Sequence, residues 1–319
     1  MTGGRGRVAV VPATGATVVR AEDAPGPTLV LRVDQLPVSS LVLGDELARL
    51  RDALAGTAYP RLDKIALYGP TGRPGHALGY RFVQALPDGR FDFRAGCGHS
   101  LLACVVAAER PGPVTVRAVT TGDTVLCEPE PGGDAYTLSF LKAPTAPGTL
   151  PTGRPVDVLL GVPVSIVRYG NPYVFVDARH LPDAEEALRD RLLVLRAAAA
   201  RLLGYPPHSA LPKIAAITGR PGGPGKGTGN PRGTGNPRGI SVRALTVGGW
   251  HPRLALTGAA ALAAAGALDG TVVPVPSGPV HTPGGTVTVS TAPDRVRVHH
   301  KRAEVLERLQ LPWRIHATA

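Results

Sequence analysis

Short runs in which apolar and polar residues alternate recur along the chain. They are LVLRV (29–33), KIALYG (64–69), GYRFVQAL (79–86) and VTVRAV (114–119), then VSIVRY (164–169), YVFVDA (173–178), KIAAI (213–217), GTVTVS (285–290) and RVRVHH (295–300). A period of two predicts strands of sheets with one buried face. Two segments carry a helical period instead. GDELARLRDALAG places Leu47, Leu50 and Leu54 on one stripe and stops at Gly56. DAEEALRDRLLVLRAAAARLLG opens on a capping box, Asp183 with Glu186, and stops at Gly204. It carries Leu188, Leu192, Leu195, Ala199 and Leu202 on one face. Both helices are expected on an outer surface.

Two further segments, HSLLACVVAAE (99–109) and GAAALAAAGAL (258–268), are apolar on nearly every side. A helix without a polar face has to be enclosed all round. Each follows a glycine-containing turn and precedes a strand. The chain therefore reads as an α/β (α+β) protein of two pseudo-symmetric halves, 1–150 and 151–319, each with one central apolar helix, at 99–110 and 258–268. Within the second half GRPGGPGKGTGNPRGTGNPRG (219–239) repeats GTGNPR and carries four positive charges. Glycine and proline at this density predict a disordered loop insertion.

Composition narrows the function classes. At 319 residues, 43% hydrophobic and 18% charged, the chain can bury a full core. The net charge of +11 comes from scattered arginines with only 4% aromatic residues, so no basic stripe interleaved with stacking rings marks a nucleic-acid partner. A small anionic substrate accounts for the charge equally well. Cys97, Cys104 and Cys127 form no CxxC pair, which argues against a disulfide framework and a cysteine zinc site. No apolar run reaches membrane-spanning length and no signal peptide is recognised, so a cytoplasmic monomer or homodimer is expected.

The segment RAGCGHSLLACVVAAER (94–110) sets Cys97 between two glycines ahead of an apolar helix. Such a turn aims backbone N–H groups and the positive end of the helix dipole at an anion, and a cysteine there is expected to be partly thiolate. The spacing alone leaves Cys97 between a buried core residue and a reactive thiol. Cys104, two turns further, and Cys127, in TVLCE, read as core.

The segments YRFVQALPDGRFDFRAGCGHS, LPTGRPVDV, YGNPYVFVDA, LPKIAAI, GGWHPRLALTGAAALAAAGALDGTVV and PVHTPGG, in this order, resemble PrpF-type 2-methylaconitate isomerases, which have the diaminopimelate-epimerase-like fold. The resemblance spans roughly residues 57–285. It implies a sheet wrapped round one helix in each half, with the active site between them. It also implies an allylic proton shift next to a carboxylate, without cofactor or metal. Cys97 and Lys64 match the family's two proton carriers. Gly96, Gly98, His99, Ser100, Asn171, His251, Thr257, Gly258, Ala259 and His281 fall at its substrate-binding positions.

The chain also departs from the family. GATVVRA and TAYPRLD replace two anion-holding motifs, and His99 stands where the family has asparagine. His99 is open to three readings: a carboxylate-binding imidazolium, a proton carrier, or a helix cap. Leu256-Thr257-Gly258-Ala259 has no thiol where the epimerase branch carries its second cysteine, which disfavours a two-cysteine racemase. The altered motifs point to a small unsaturated carboxylate of specialised metabolism, such as antibiotic biosynthesis. The competing readings are a racemase or epimerase of the same fold and a binding protein that has lost catalysis.

Overall fold

The structure is a computed structural model that describes residues 14–33, 40–206, 209–219, 239–246, 249–276 and 278–311. Most of the GTGNPR insertion, 220–238, lies outside the described residues.

The alternating runs form two sheets, of 11 and 8 strands. At the centre of the first, Thr28–Arg32 runs parallel to Lys64–Gly69, which is antiparallel to Leu78–Ala85. At the centre of the second, Asn171–Asp177 runs parallel to Lys213–Gly219, which is antiparallel to Ile240–Thr246. The two trios have the same connections. Helix α1 (Ser40–Leu54) crosses between the first and second strands of one trio, and α3 (Glu185–Leu202) does so in the other. Helix α2 (Gly98–Ala107) and helix α4 (Leu256–Gly266) follow the respective third strands. The two pseudo-symmetric halves read from the sequence are thus present.

Alternation assigns each helix its layer. On Lys64–Gly69 the odd residues Ile65 and Leu67 join Leu43, Leu47, Leu50 and Leu54 of α1 in an outer cluster, whereas Ala66 and Tyr68 face the central core. On Lys213–Gly219, Ile214 and Ala216 pack under α3, while Ala215 and Ile217 face inward. The inward faces of both sheets enclose α2 and α4 in one core. All eleven residues of α4 are buried, as a helix with no polar face requires.

Several expected boundaries shift. The central helices run 98–107 and 256–266 rather than 99–110 and 258–268. Helix α3 has Ala184 as its N-cap, one residue after Asp183, and Leu202 is 49% exposed. The division at residue 150 holds only as far as residue 288. The strands Val289–Ala292, Arg295–Lys301 and Ala303–Leu311 return to the first sheet, where Ala303–Leu311 pairs with Thr14–Ala21.

Candidate active site

Cys97 occupies the N-cap of α2 in an extended conformation and makes no side-chain cap. Its carbonyl accepts from Leu101 N–H at 2.9 Å and from the Tyr80 hydroxyl at 2.9 Å. The turn before it is held across the halves. Asn171 Oδ1 accepts from Gly96 N–H at 2.7 Å and Asn171 Nδ2 donates to the Gly96 carbonyl at 2.7 Å. The Asn171 amide is thereby committed to positioning the Cys97 turn. The Ser100 hydroxyl lies 2.9 Å from Thr28 Oγ1.

The start of α4 meets the start of α2. A Cβ on Gly98 would lie 2.5 Å from Leu256 Cδ2 and 2.9 Å from Leu256 Cβ, so glycine is what allows this approach. Gly258 is under similar pressure, because a Cβ there would come within 2.7 Å of the Tyr173 ring. Thr257 and Gly258 lie inside the first turn rather than in the preceding loop, and Ala255 is the N-cap, again without a side-chain bond. The first N–H groups of a helix have no intrahelical acceptor. The leading N–H groups of α2 (Gly98, His99 and Ser100) and of α4 (Leu256, Thr257 and Gly258) therefore open toward one region with no side-chain cap on either helix. Ala259 N–H already bonds to Ala255.

Lys64 opens its strand with the parity of Ala66 and Tyr68, so it faces inward, and it is buried at 6% exposure rather than an exposed strand-end cation. Its ammonium donates to the Gly26 carbonyl at 3.1 Å. It lines a cleft of about 480 Å³ between the halves, together with Arg51, Arg61, Gln84, Thr246 and Trp250. Cys97 lines a separate pocket of about 20 Å³ with Tyr80, Thr121, Gly170 and Thr257. The two expected proton carriers thus stand on neighbouring cavities rather than in one.

His99 and His251 stack with ring centroids 6.4 Å apart. Burial, then the charges of His251, Lys301 and Lys64, push His99 well below the ordinary histidine value. Burial also takes His251 down to about 4, with Lys64 and Lys213 adding to the effect. Both shifts favour the neutral rings, which weighs against the imidazolium among the three readings of His99. His99 Nε2 is buried with no hydrogen-bond partner, and His251 Nδ1 accepts from Arg253 N–H at 3.2 Å. Beside them Asp23 bonds both Lys301 and Arg253, a clamp between the first sheet and the loop leading to α4.

Not every expected residue converges here. His281 lies on the strand Val280–Thr282 and lines a different pocket with Glu185, Ser241 and Arg243, so it is no part of the Cys97 site. Cys104 and Cys127 are buried, as expected of core thiols. Lys213 was not singled out by the sequence, although KIA opens both its strand and that of Lys64, which is the signal that could have found it. Among the described residues no group of three His, Cys, Asp or Glu side chains is arranged to hold a metal ion. No described helix is long and apolar enough to cross a membrane.

No family model matches the chain. Putative isomerase YbhH of Escherichia coli (strain K12) is 27% identical over 259 residues, covering 68% of this chain and 70% of YbhH. Putative isomerase YbhH of Shigella flexneri matches to the same extent. Among solved structures, a methylitaconate-delta-isomerase superposes with a TM-score of 0.63 at 21% identity, covering 93% of this chain and 94% of that one. The fold is therefore that of this isomerase, and the chain is similar in sequence to a protein named as a putative isomerase.

Proposed function

We propose that the chain is an isomerase that moves a double bond in a small unsaturated carboxylate by proton transfer, with Cys97 and Lys64 as the proton carriers. The observation that carries this reading is the meeting of two helix N-termini without side-chain caps, one of them beginning at Cys97. Their unpaired N–H groups suit a carboxylate whose negative charge grows during reaction.

In the proposed reaction one carrier removes a proton from the carbon next to the double bond. The released electron pair spreads over the allylic system into the carboxylate, and the anion is held by the N–H groups of α2 and α4. A proton then returns at the far end of the allylic system, the double bond reforms one position along, and nothing is gained or lost. The cleft between the halves, lined by Arg51, Arg61 and Lys64, gives an anionic substrate a route toward Lys64. His99 lies within the electrostatic reach of Lys64 and is two residues from Cys97 in the chain. The replaced anion-holding motifs favour a substrate with fewer carboxylates than 2-methylaconitate, which fits a tailoring reaction of specialised metabolism.

The test is incubation with small unsaturated mono- and dicarboxylic acids in deuterated water, following the position of deuterium by NMR and mass spectrometry. One deuterium is expected at the carbon that loses the double bond, and conversion should fail in both Cys97→Ala and Lys64→Ala. Conversion of an acid with no solvent deuterium at that carbon and full activity in Cys97→Ala would refute the reading.

A further inference from the structure

We infer that the outward face of α3 pairs antiparallel with the same face of a second copy of this chain, forming a two-fold symmetric dimer.

Helices α1 and α3 hold the same place in the two halves, so each is a control for the other. Each buries one stripe under its layer: Leu43, Leu47, Leu50 and Leu54 in α1, and Leu188, Leu192, Leu195 and Ala199 in α3. Opposite that stripe α1 exposes Asp45, Ala48, Arg49 and Asp52. Three charges in four positions make the ordinary face of a helix that meets water. Opposite its own stripe α3 exposes Ala187, Asp190, Val194, Ala197 and Arg201, with Gly204 exposed just past its end. Val194 is 48% exposed, and Leu193 beside it is 44% exposed. The centre of this face is thus apolar where its counterpart is charged.

The six positions on α3 follow one another at intervals of 3, 4, 3, 4 and 3 residues. This is the spacing by which two helices pack along a common seam. The order of the side chains along the seam selects the partner and its direction. Read in reverse, the stripe matches itself: Ala187 falls opposite Gly204, Asp190 opposite Arg201, and Val194 opposite Ala197. An antiparallel second copy therefore sets apolar or small residues against each other at the centre and the ends, and each Asp190 against an Arg201. A parallel copy would set like charge against like at both positions, which disfavours it. A face that is its own complement under reversal is what a two-fold contact requires.

The small side chains at Ala187, Ala197 and Gly204 let the two helices approach closely. Within one chain Asp190 has the adjacent Arg189 at 3.4 Å, an exposed pair that contributes little and leaves the carboxylate open to a second cation. One pair of 18-residue helices buries less than the roughly 1,200 Å² of a standard interface, so self-association in the micromolar range is expected.

The experiment is sedimentation velocity of the full chain from low to high micromolar concentration. The parent is expected to shift from monomer to dimer over this range. Val194→Glu, which brings two carboxylates together near the two-fold axis, should remain monomeric with the circular dichroism of the parent. Ala48→Glu, at the matching exposed face of α1, should dimerise as the parent does. Asp190→Arg and Arg201→Asp should each weaken the dimer about tenfold by opposing like charges at two symmetric places, and the double exchange should restore it to within about threefold. A parent that stays monomeric throughout overturns the inference and leaves the stripe to a different partner. A dimer undisturbed by Val194→Glu, or single exchanges that the double exchange does not rescue, overturns it equally.

Discussion

Replacing Gly98 by alanine tests the meeting of the two helices most directly. In an open helix the exchange would stabilise by roughly 0.5–1 kcal/mol, because glycine is the poorer helix former. Here the new Cβ would lie 2.5 Å from Leu256 Cδ2, 2.9 Å from Leu256 Cβ and 3.0 Å from Leu256 Cγ. Rotation of the leucine relieves the first and third contacts but not the second, since Cβ moves only with the α4 backbone. The helices must separate by a few tenths of an ångström within a packed core, where overfilling costs about 1–3 kcal/mol. The net expectation is a loss of about 1–2 kcal/mol, read as a lower urea midpoint by circular dichroism. The loss of isomerase activity should exceed what unfolding explains, because the N–H groups of both helices shift away from one anion. Leu256→Ala alone should cost about 2–5 kcal/mol through the cavity it leaves. The double variant keeps the Leu256 Cβ contact, so its loss should lie near the sum of the two. A Gly98→Ala protein more stable than its parent would refute the close approach of α2 and α4.

Two further outcomes follow from the same region. Asn171→Asp keeps an acceptor for Gly96 N–H but sets a carboxylate oxygen against the Gly96 carbonyl, so a loss of about 2–3 kcal/mol and of activity is expected; a urea midpoint equal to the parent's would show that the amide does not hold the turn. His251 is held down to about 4 from an ordinary 6.5, so the unfolded chain binds a proton that the folded one refuses between these values. Stability should fall as pH drops from 6.5 toward 4, a trend that His251→Gln should weaken and that His99 shares, and urea midpoints independent of pH across that window would contradict it.

The sheets and helix layers were legible because their pattern is local. KIALYG and KIAAI show their buried faces by alternation, and the two helices with no polar face announce their enclosure. What the pattern does not carry is partner choice. RVRVHH reads as a strand wherever it lies, and its pairing with Tyr136–Phe140 of the first sheet depends on contacts more than 150 residues apart in the chain. The side-chain roles divide in the same way. The turn ahead of α2 was legible from the glycines that flank Cys97, whereas Asn171 could not be told from a turn residue until its amide was seen to span the two halves. A lysine at a strand start reads as solvated, and the inward direction of Lys64 and Lys213 emerges only once their parity is fixed by the sheet.

The charges at the centre bear on the proposed ligand. Four carboxylates reach the region. Asp23 is bonded by Lys301 and Arg253, and Asp92 by Ser209, Ala210 and Arg94. Asp63 lines the Lys64 cleft beside Arg51 and Arg61, and Asp123 lines the Cys97 pocket. An anionic ligand is therefore held against these carboxylates, and the uncapped starts of α2 and α4 are the part of the site that favours it without an opposing charge of their own. Under the proposed function, a substrate would set one compact negative end against the helix N-termini and a less polar body beside His99 and His251, whose burial favours the neutral rings.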